Sequence, residues 1–185
     1  ERVPVRYRTA MPAFDKTDHR SAEAGLKYFL FGSTASAFTL FGLSFVYGMC
    51  RTTSLAAIAQ KLAMLPVQPL LAVGIVMTLI GFVFKIAAAP FHLWAPDAYE
   101  GAPLPSAAFI ASGSKVASFV VLGKILVIAF ASANWTPMLA LIAALSIVIG
   151  NIAALAQTSL RRLLAYSAVA HAGYTLLGFL AAGRE

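Results

Sequence analysis

A lysine inside an apolar stretch, followed closely by a proline, is the most informative chemical feature of this sequence. Lys85 lies five residues before Pro90, in a run whose neighbouring residues are almost all apolar. A charged side chain at membrane depth costs several kcal/mol, so such residues typically mark a path for ions or protons. Pro90 cannot donate a backbone hydrogen bond and clashes with the carbonyl of Ile86. Because irregular backbone in a bilayer needs protein or a water-filled cavity around it, this pattern points to ion or proton movement.

Three further titratable residues are predicted to lie at a similar depth. By the helical rise, Lys85 and His171 lie roughly 14 Å from the cytoplasmic end of their helices. Lys115 lies roughly 18 Å from the same end, and Glu1 about 20 Å if the first segment is helical. Burial favours the neutral amine and two nearby lysines repel each other, so each can load and release a proton as its partner moves. Titratable groups in one layer near the membrane centre suit a lateral proton relay, with Lys115 receiving the proton from Lys85.

Several polar residues have a structural interpretation beside a functional one. His92 suits either a hydrogen bond to a freed carbonyl or a place in the relay. His171 suits either polar packing or the relay. Lys27 and Lys124 lie near helix ends, where a lysine side chain can extend to the membrane interface. Glu23 stands four residues before Lys27 and is expected to pair with it.

The segment around residue 100 is predicted to be a turn rather than a helix. The stretch 97–105 is rich in proline and acid, and its carboxylates, Asp97 and Glu100, are expected to cap or brace that turn. Trp94, Tyr99 and Trp135 are of the residue types that form aromatic belts at membrane interfaces.

Composition places the chain in a membrane. Of its 185 residues, 60% are hydrophobic and 11% charged, and the mean hydropathy is +0.82, which excludes an ordinary soluble domain. The net charge of +7 indicates basic loops at lipid headgroups rather than a nucleic-acid-binding face. Cys50 is the single cysteine, which excludes a disulfide framework or a cysteine-ligated cluster within this chain. The sequence begins at Glu1 without methionine, which suggests a fragment or an incomplete gene product.

The apolar runs predict an all-α, polytopic transmembrane helix bundle. The chain is expected to form one incomplete membrane domain over 1–185, with an atypical segment and loop at 1–20 and about five transmembrane helices over 22–182. A partly amphipathic link is expected at 50–68, and the positive-inside rule puts the loops bearing Lys16, Arg20, Arg161 and Arg162 in the cytoplasm. The helices are predicted at about 1–14, 22–49, 69–93, 103–131, 136–158 and 162–182.

Four motifs in order carry a resemblance to a known family. They are Phe84-Lys85 followed by PFHLWAPDAYEGAP at 90–103, SGSK at 112–115, NIAALAQTSLRRLLAYSAVAHAGY at 151–174, and SAEAGLKY at 21–28. Together they resemble the antiporter-like membrane subunits of proton-pumping NADH:quinone oxidoreductase, respiratory complex I, and in particular its subunit N. The match runs from about residue 13 to the end. Related antiporter-like subunits usually carry leucine-histidine-glycine after the proline, so FHLW at 91–94 favours subunit N.

The resemblance implies a fold and a set of site residues. The chain would be the middle of a longer subunit, across the junction of two inverted five-helix repeats with a proline-broken helix. Its proton relay would comprise Lys85, Lys115, Glu1, His92 and His171. Glu1 matches the family's glutamate by its spacing to Lys85, although the arginine-rich start of this chain departs from the family's apolar one.

The resemblance also implies where the rest of the chemistry lies. This chain would hold no cofactor or metal, while NADH, FMN, iron–sulfur clusters and quinone would belong to the wider complex. Its partners would be the other membrane subunits and the lipid bilayer, with quinone and NADH reached through the assembly and no nucleic acid involved. The expected location is the bacterial inner (plasma) membrane, crossed several times. Two alternatives remain, a subunit of a multi-subunit cation/proton antiporter and a non-transporting membrane scaffold.

Overall fold

A computed structural model describes residues 19–64 and 68–182, which form a helical bundle. No strand occurs within these ranges, so the all-α prediction is confirmed. The predicted helix at 1–14 lies outside the described residues. The described helices are α1 His19–Cys50, α2 Leu55–Met64, α3 Pro69–Lys85, α4 Trp94–Gly101, α5 Leu104–Ala129, α6 Thr136–Leu155 and α7 Leu160–Ala182.

Four of these helices, α1, α5, α6 and α7, are long and apolar enough to cross a membrane. The fifth predicted span, α3, is apolar, but its 17 residues make it shorter than each of these four helices. The chain is therefore a multi-pass membrane protein. Helix α5 departs from α-helical geometry in two π-helical segments, Ile110–Ser114 and Ile125–Ala129.

The predicted helix at 69–93 is wrong at its carboxyl end. Helix α3 ends at Lys85, and residues 86–93 form turns that contain a cis Ala89–Pro90 bond. The helix stops because Ala87 adopts a left-handed conformation, with φ of 56°. The Ala87 N–H then donates to the Phe84 carbonyl at 3.1 Å and the Ala88 N–H to the Val83 carbonyl at 3.1 Å, which is the Schellman pattern of helix ends. The predicted turn at 97–105 is also wrong, since helix α4 occupies 94–101.

Small residues set the helix spacing. Helix α1 packs along α3 and α6 packs along α7, while the short α4 lies between α1 and α7. A Cβ added at Gly81 would meet Thr39 and, at 2.8 Å, the carbonyl of Ala35 on α1, and one at Gly150 would lie 2.7 Å from the Ala170 nitrogen on α7. Close backbone approach through small residues is typical of helix packing in membranes.

We predict that Gly81→Ala destabilises the α1–α3 pair by about 1–3 kcal/mol, because the added methyl group overpacks a contact between backbones. Thermal unfolding of the detergent-purified subunit would measure the loss. Gly32→Ala is the matched control, since a Cβ at Gly32 meets nothing within 4 Å in the described chain. Equal stability of the two variants would contradict the packing described for α1 and α3.

Candidate functional site

Side chains form hydrogen bonds with the backbone at the break between α3 and α4. Ala89 donates its N–H to the Ser146 hydroxyl on α6 at 2.8 Å, and Ser146 donates in turn to the Ile142 carbonyl at 2.7 Å. The indole N–H of Trp94 donates to the Phe84 carbonyl at 3.1 Å. Side chains thus bind two backbone groups at the break, and the Trp94 indole is a second donor to a carbonyl that already accepts from the Ala87 N–H. No sequence pattern distinguishes Ser146 from any other serine in an apolar helix.

Lys115 is buried within the membrane-spanning helix α5. Its side chain is 7% exposed, its Nζ donates to the Ala168 carbonyl on α7 at 3.0 Å, and it lies 6.0 Å from the centroid of the Tyr99 ring on α4. No ion pair to a carboxylate balances this ammonium within the described ranges. The α-helix resumes at Lys115 directly after the π-helical segment Ile110–Ser114. Such π-bulges frequently mark functional sites, and no sequence pattern indicated this one.

His92 lies in the break itself and also contacts α7. Its side chain is buried, and its ring centroid lies 6.0 Å from that of Tyr166. Its Nδ1 has no hydrogen-bond partner among the described residues, and the same holds for the hydroxyl of Tyr99. His92 and Lys115 therefore contact positions two residues apart on α7, at Tyr166 and Ala168.

Lys85 and His171 are not joined to this cluster. Lys85 is exposed at the end of α3, and its predicted depth assumed a helix that continues to Trp94, which it does not. Helix α3 contacts α5 along Lys115–Lys124, as expected for neighbouring antiparallel spans, but no recorded contact joins the two lysine side chains. His171 is exposed and its Nδ1 lies 2.8 Å from the Ser167 carbonyl of its own helix. Glu1 lies outside the described residues.

A network of charged side chains links α1, α4 and α7 at one end of the bundle. Lys27 contacts Asp97 at 2.7 Å and Glu23 at 2.6 Å, and Arg162 contacts Asp97 at 2.8 Å and Glu100 at 3.1 Å. These residues line a cleft of about 310 Å³. The Glu23–Lys27 pair is confirmed.

Lys27 also binds Asp97, seventy residues away in the sequence, because α4 brings a carboxylate within reach. One prediction about this region is wrong. Asp97 and Glu100 lie within α4, where they bind cations on neighbouring helices rather than capping a turn. The sequence could have predicted this network. Its acidic residues at 97–100 and its basic residues at 161–162 are assigned to the same membrane face, and their charges are opposite.

The aromatic belt prediction is also wrong for Trp94, Tyr99 and Trp135. All three side chains are buried inside the chain, being at most 9% exposed. Trp135 donates its indole N–H to the Phe130 carbonyl at 2.9 Å, so it stabilises the end of α5. Within the described ranges, no three His, Cys, Asp or Glu residues are grouped as a metal site would require.

The multi-pass helical chain matches a known family of membrane proteins. Residues 9–185 match the family described as "NADH:quinone oxidoreductase/Mrp antiporter, TM". The chain belongs to this family, which confirms the resemblance read from the motifs.

Individual relatives are close in sequence. The chain is 56% identical over 184 residues to "NADH-quinone oxidoreductase subunit N 2" of Acidobacterium capsulatum, covering 92% of this chain and 36% of that protein. It is 45% identical over 172 residues to "F(420)H(2) dehydrogenase subunit N" of Methanosarcina mazei, covering 92% and 35%. A chain of respiratory complex I from Thermus thermophilus is 42% identical with a TM-score of 0.75, covering 89% and 35%. The chain thus spans about a third of the length of the relatives it matches.

We predict that Ser146→Ala lowers stability by about 1–3 kcal/mol, because it leaves the buried Ala89 N–H without an acceptor. Faster amide hydrogen exchange at Ala89 and a lower unfolding temperature would report the loss. Ser118→Ala is the control, since that serine also donates to a carbonyl four residues back, at 2.8 Å, but has no recorded partner on another helix. The assignment of Ser146 fails if the two variants behave alike.

We also predict that the network weakens in acid. Partial burial of Asp97 opposes its ionisation, but hydrogen bonds from Lys27 and Arg162 outweigh that effect and hold the pKa of this carboxyl below its ordinary 3.8. The stability it contributes is therefore complete above that ordinary pKa and is lost as the pH falls through the lower folded value. Asp97→Asn should remove this pH dependence. The measurement is the unfolding of each variant as the pH is lowered, and the comparison is Glu23→Gln, which changes an exposed carboxylate.

Proposed function

We propose that this chain is part of subunit N of a proton-translocating NADH:quinone oxidoreductase in the bacterial inner membrane. The observation that carries the proposal is the burial of Lys115 in a membrane span, with a carbonyl and an aromatic ring as its recorded partners. An ammonium at that depth is costly and is retained where protons or ions are handled. The names of the relatives at 42–56% identity in Acidobacterium and Thermus support the same assignment.

The chemistry is acid–base switching without covalent steps. Lys115 holds a proton when the surrounding dipoles and rings favour its ammonium and releases it when they move away. His92 is placed to take part, because its ring is buried in the broken segment and has a nitrogen without a protein partner among the described residues. Lys85 lies at the end of α3, where its exposed side chain is free to meet parts of the subunit beyond the described ranges. Glu1 and His171 keep their proposed relay roles from the resemblance.

Electron transfer is assigned to other subunits of the assembly. NADH, FMN, iron–sulfur clusters and quinone would bind there, and this chain would contact neighbouring membrane subunits and lipid. The relative in Methanosarcina is named for F(420)H(2) rather than NADH, which supports an electron donor that is set by the peripheral subunits and not by this segment. Co-purification of the complete subunit with a flavin- and iron–sulfur-containing arm distinguishes an oxidoreductase from a cation/proton antiporter.

We predict that Lys115→Arg abolishes proton pumping nearly as fully as Lys115→Ala. Arginine keeps the positive charge but does not release its proton at physiological pH. In the assembled complex, NADH-driven acidification of inverted membrane vesicles should fall by about tenfold or more in both variants, as expected for removal of an acid–base group. Pumping retained by the arginine variant would make Lys115 a fixed electrostatic element and not a proton carrier.

We predict that Lys85→Ala leaves assembly intact and reduces pumping, because the exposed lysine contributes little to packing within this chain. The amount of subunit in purified membranes and the ratio of protons pumped to NADH oxidised would be measured together. Lys124→Ala is the control, since Lys124 is also an exposed lysine, on α5. A wild-type pumping ratio in assembled Lys85→Ala would refute the proposed role.

A further inference from the structure

Tyr99 lies against the buried ammonium and has no part in the relay described above. Its side chain is 5% exposed, and the Lys115 Nζ lies 6.0 Å from its ring centroid. That distance is at the limit within which a cation is attracted to the negative face of an aromatic ring. Helix α4 holds Tyr99 in place because Asp97 and Glu100, on either side of it, are bound by cations on α1 and α7.

The ring of Tyr99, and not its hydroxyl, is the part that faces Lys115. The recorded hydrogen bond of the Lys115 ammonium goes to the Ala168 carbonyl at 3.0 Å. The Tyr99 hydroxyl is buried and has no hydrogen-bond partner among the described residues. A hydrogen bond between the two side chains therefore does not account for their proximity.

The surroundings of Lys115 indicate that the Tyr99 ring has an electrostatic role. Burial favours the neutral amine, whereas a carbonyl oxygen and an aromatic face both favour the ammonium. The other titratable groups on the packed elements lie before α4 and on α1, α3, α4 and α7: they include His92, Tyr28, Tyr47, Lys85, Arg161, Tyr166, His171, Tyr174, and the network of Glu23, Lys27, Asp97, Glu100 and Arg162. Within the described ranges none of them forms an ion pair with Lys115. The Tyr99 ring lies 6.0 Å from the Lys115 Nζ and can distinguish the two protonation states, because its negative face attracts the ammonium but not the neutral amine.

We propose that Tyr99 is a positioning residue whose ring face stabilises the protonated form of Lys115 and thereby sets the pH range in which this lysine exchanges protons. The inference rests on the proposed function, because it requires Lys115 to gain and lose a proton during turnover. It assigns no proton transfer to the tyrosine hydroxyl.

The test is the pH profile of NADH-driven pumping by the assembled oxidoreductase in liposomes. Tyr99→Phe keeps the ring and should retain the wild-type profile. Tyr99→Leu removes the ring, so Lys115 should lose its proton at lower pH. The alkaline limb of the profile should then move down by about half a pH unit to one unit, the size expected from a partly desolvated cation–π contact. Tyr28→Leu is the control, because Tyr28 packs edge-on against Trp94 at 5.3 Å and has no recorded contact with Lys115.

A sterically matched substitution covers the case in which the leucine variant fails to assemble. Trifluorophenylalanine at position 99 keeps the volume of the ring but weakens its negative face, so the alkaline limb should again move to lower pH. A Tyr99→Phe variant that loses pumping would overturn the inference in favour of a hydroxyl relay. The inference would also be overturned if the leucine and trifluorophenylalanine variants both kept the wild-type pH profile of pumping while Lys115→Ala remained inactive. Normal pumping by Lys115→Ala would instead refute the proposed function itself.

Discussion

The requirement that backbone groups be satisfied inside a membrane governs this structure. Helix α3 stops at Lys85, and eight residues pass before α4 begins at Trp94. Four successive residues of that segment, 86–89, are fully buried, where water is scarce and an unpaired N–H is costly. The Schellman pattern at Ala87 and the Ser146 hydroxyl supply the missing partners, and the Trp94 indole adds a second donor to the Phe84 carbonyl. The conformation of the break therefore depends on α6 as much as on the sequence of residues 86–93.

The short helix α4 follows from the break and organises the site. Because the chain restarts at Trp94, Asp97 and Glu100 face cations on α1 and α7, and Tyr99 faces inward toward Lys115. The same helix thus has a charged end in a cleft and an aromatic side against a buried ammonium. Partly exposed ion pairs contribute modestly to stability, so the importance of this network is geometric: it fixes α4 relative to two long spans.

The two lysines differ in their surroundings, although the motifs make them look alike. Lys115 is enclosed by α4 and α7 and has a carbonyl and a ring as partners. Lys85 is exposed and forms no ion pair with the described residues. A relay through both residues would therefore require the protonation of each lysine to be controlled by different surroundings.

The sequence alone determined the membrane setting, the four long spans and the family, because hydropathy, span length and linked motifs are local properties of the chain. The Glu23–Lys27 pair was also predictable, since four-residue spacing places both on one helix face. Tertiary structure alone decided where α3 ends, because proline predicts that a helix breaks but not which earlier residue takes the left-handed conformation. It also decided the Ser146 bond, the binding of Asp97 by both Lys27 and Arg162, and the contact of Tyr99 with Lys115. Each of these joins residues far apart in sequence, and their meeting depends on how the helices pack.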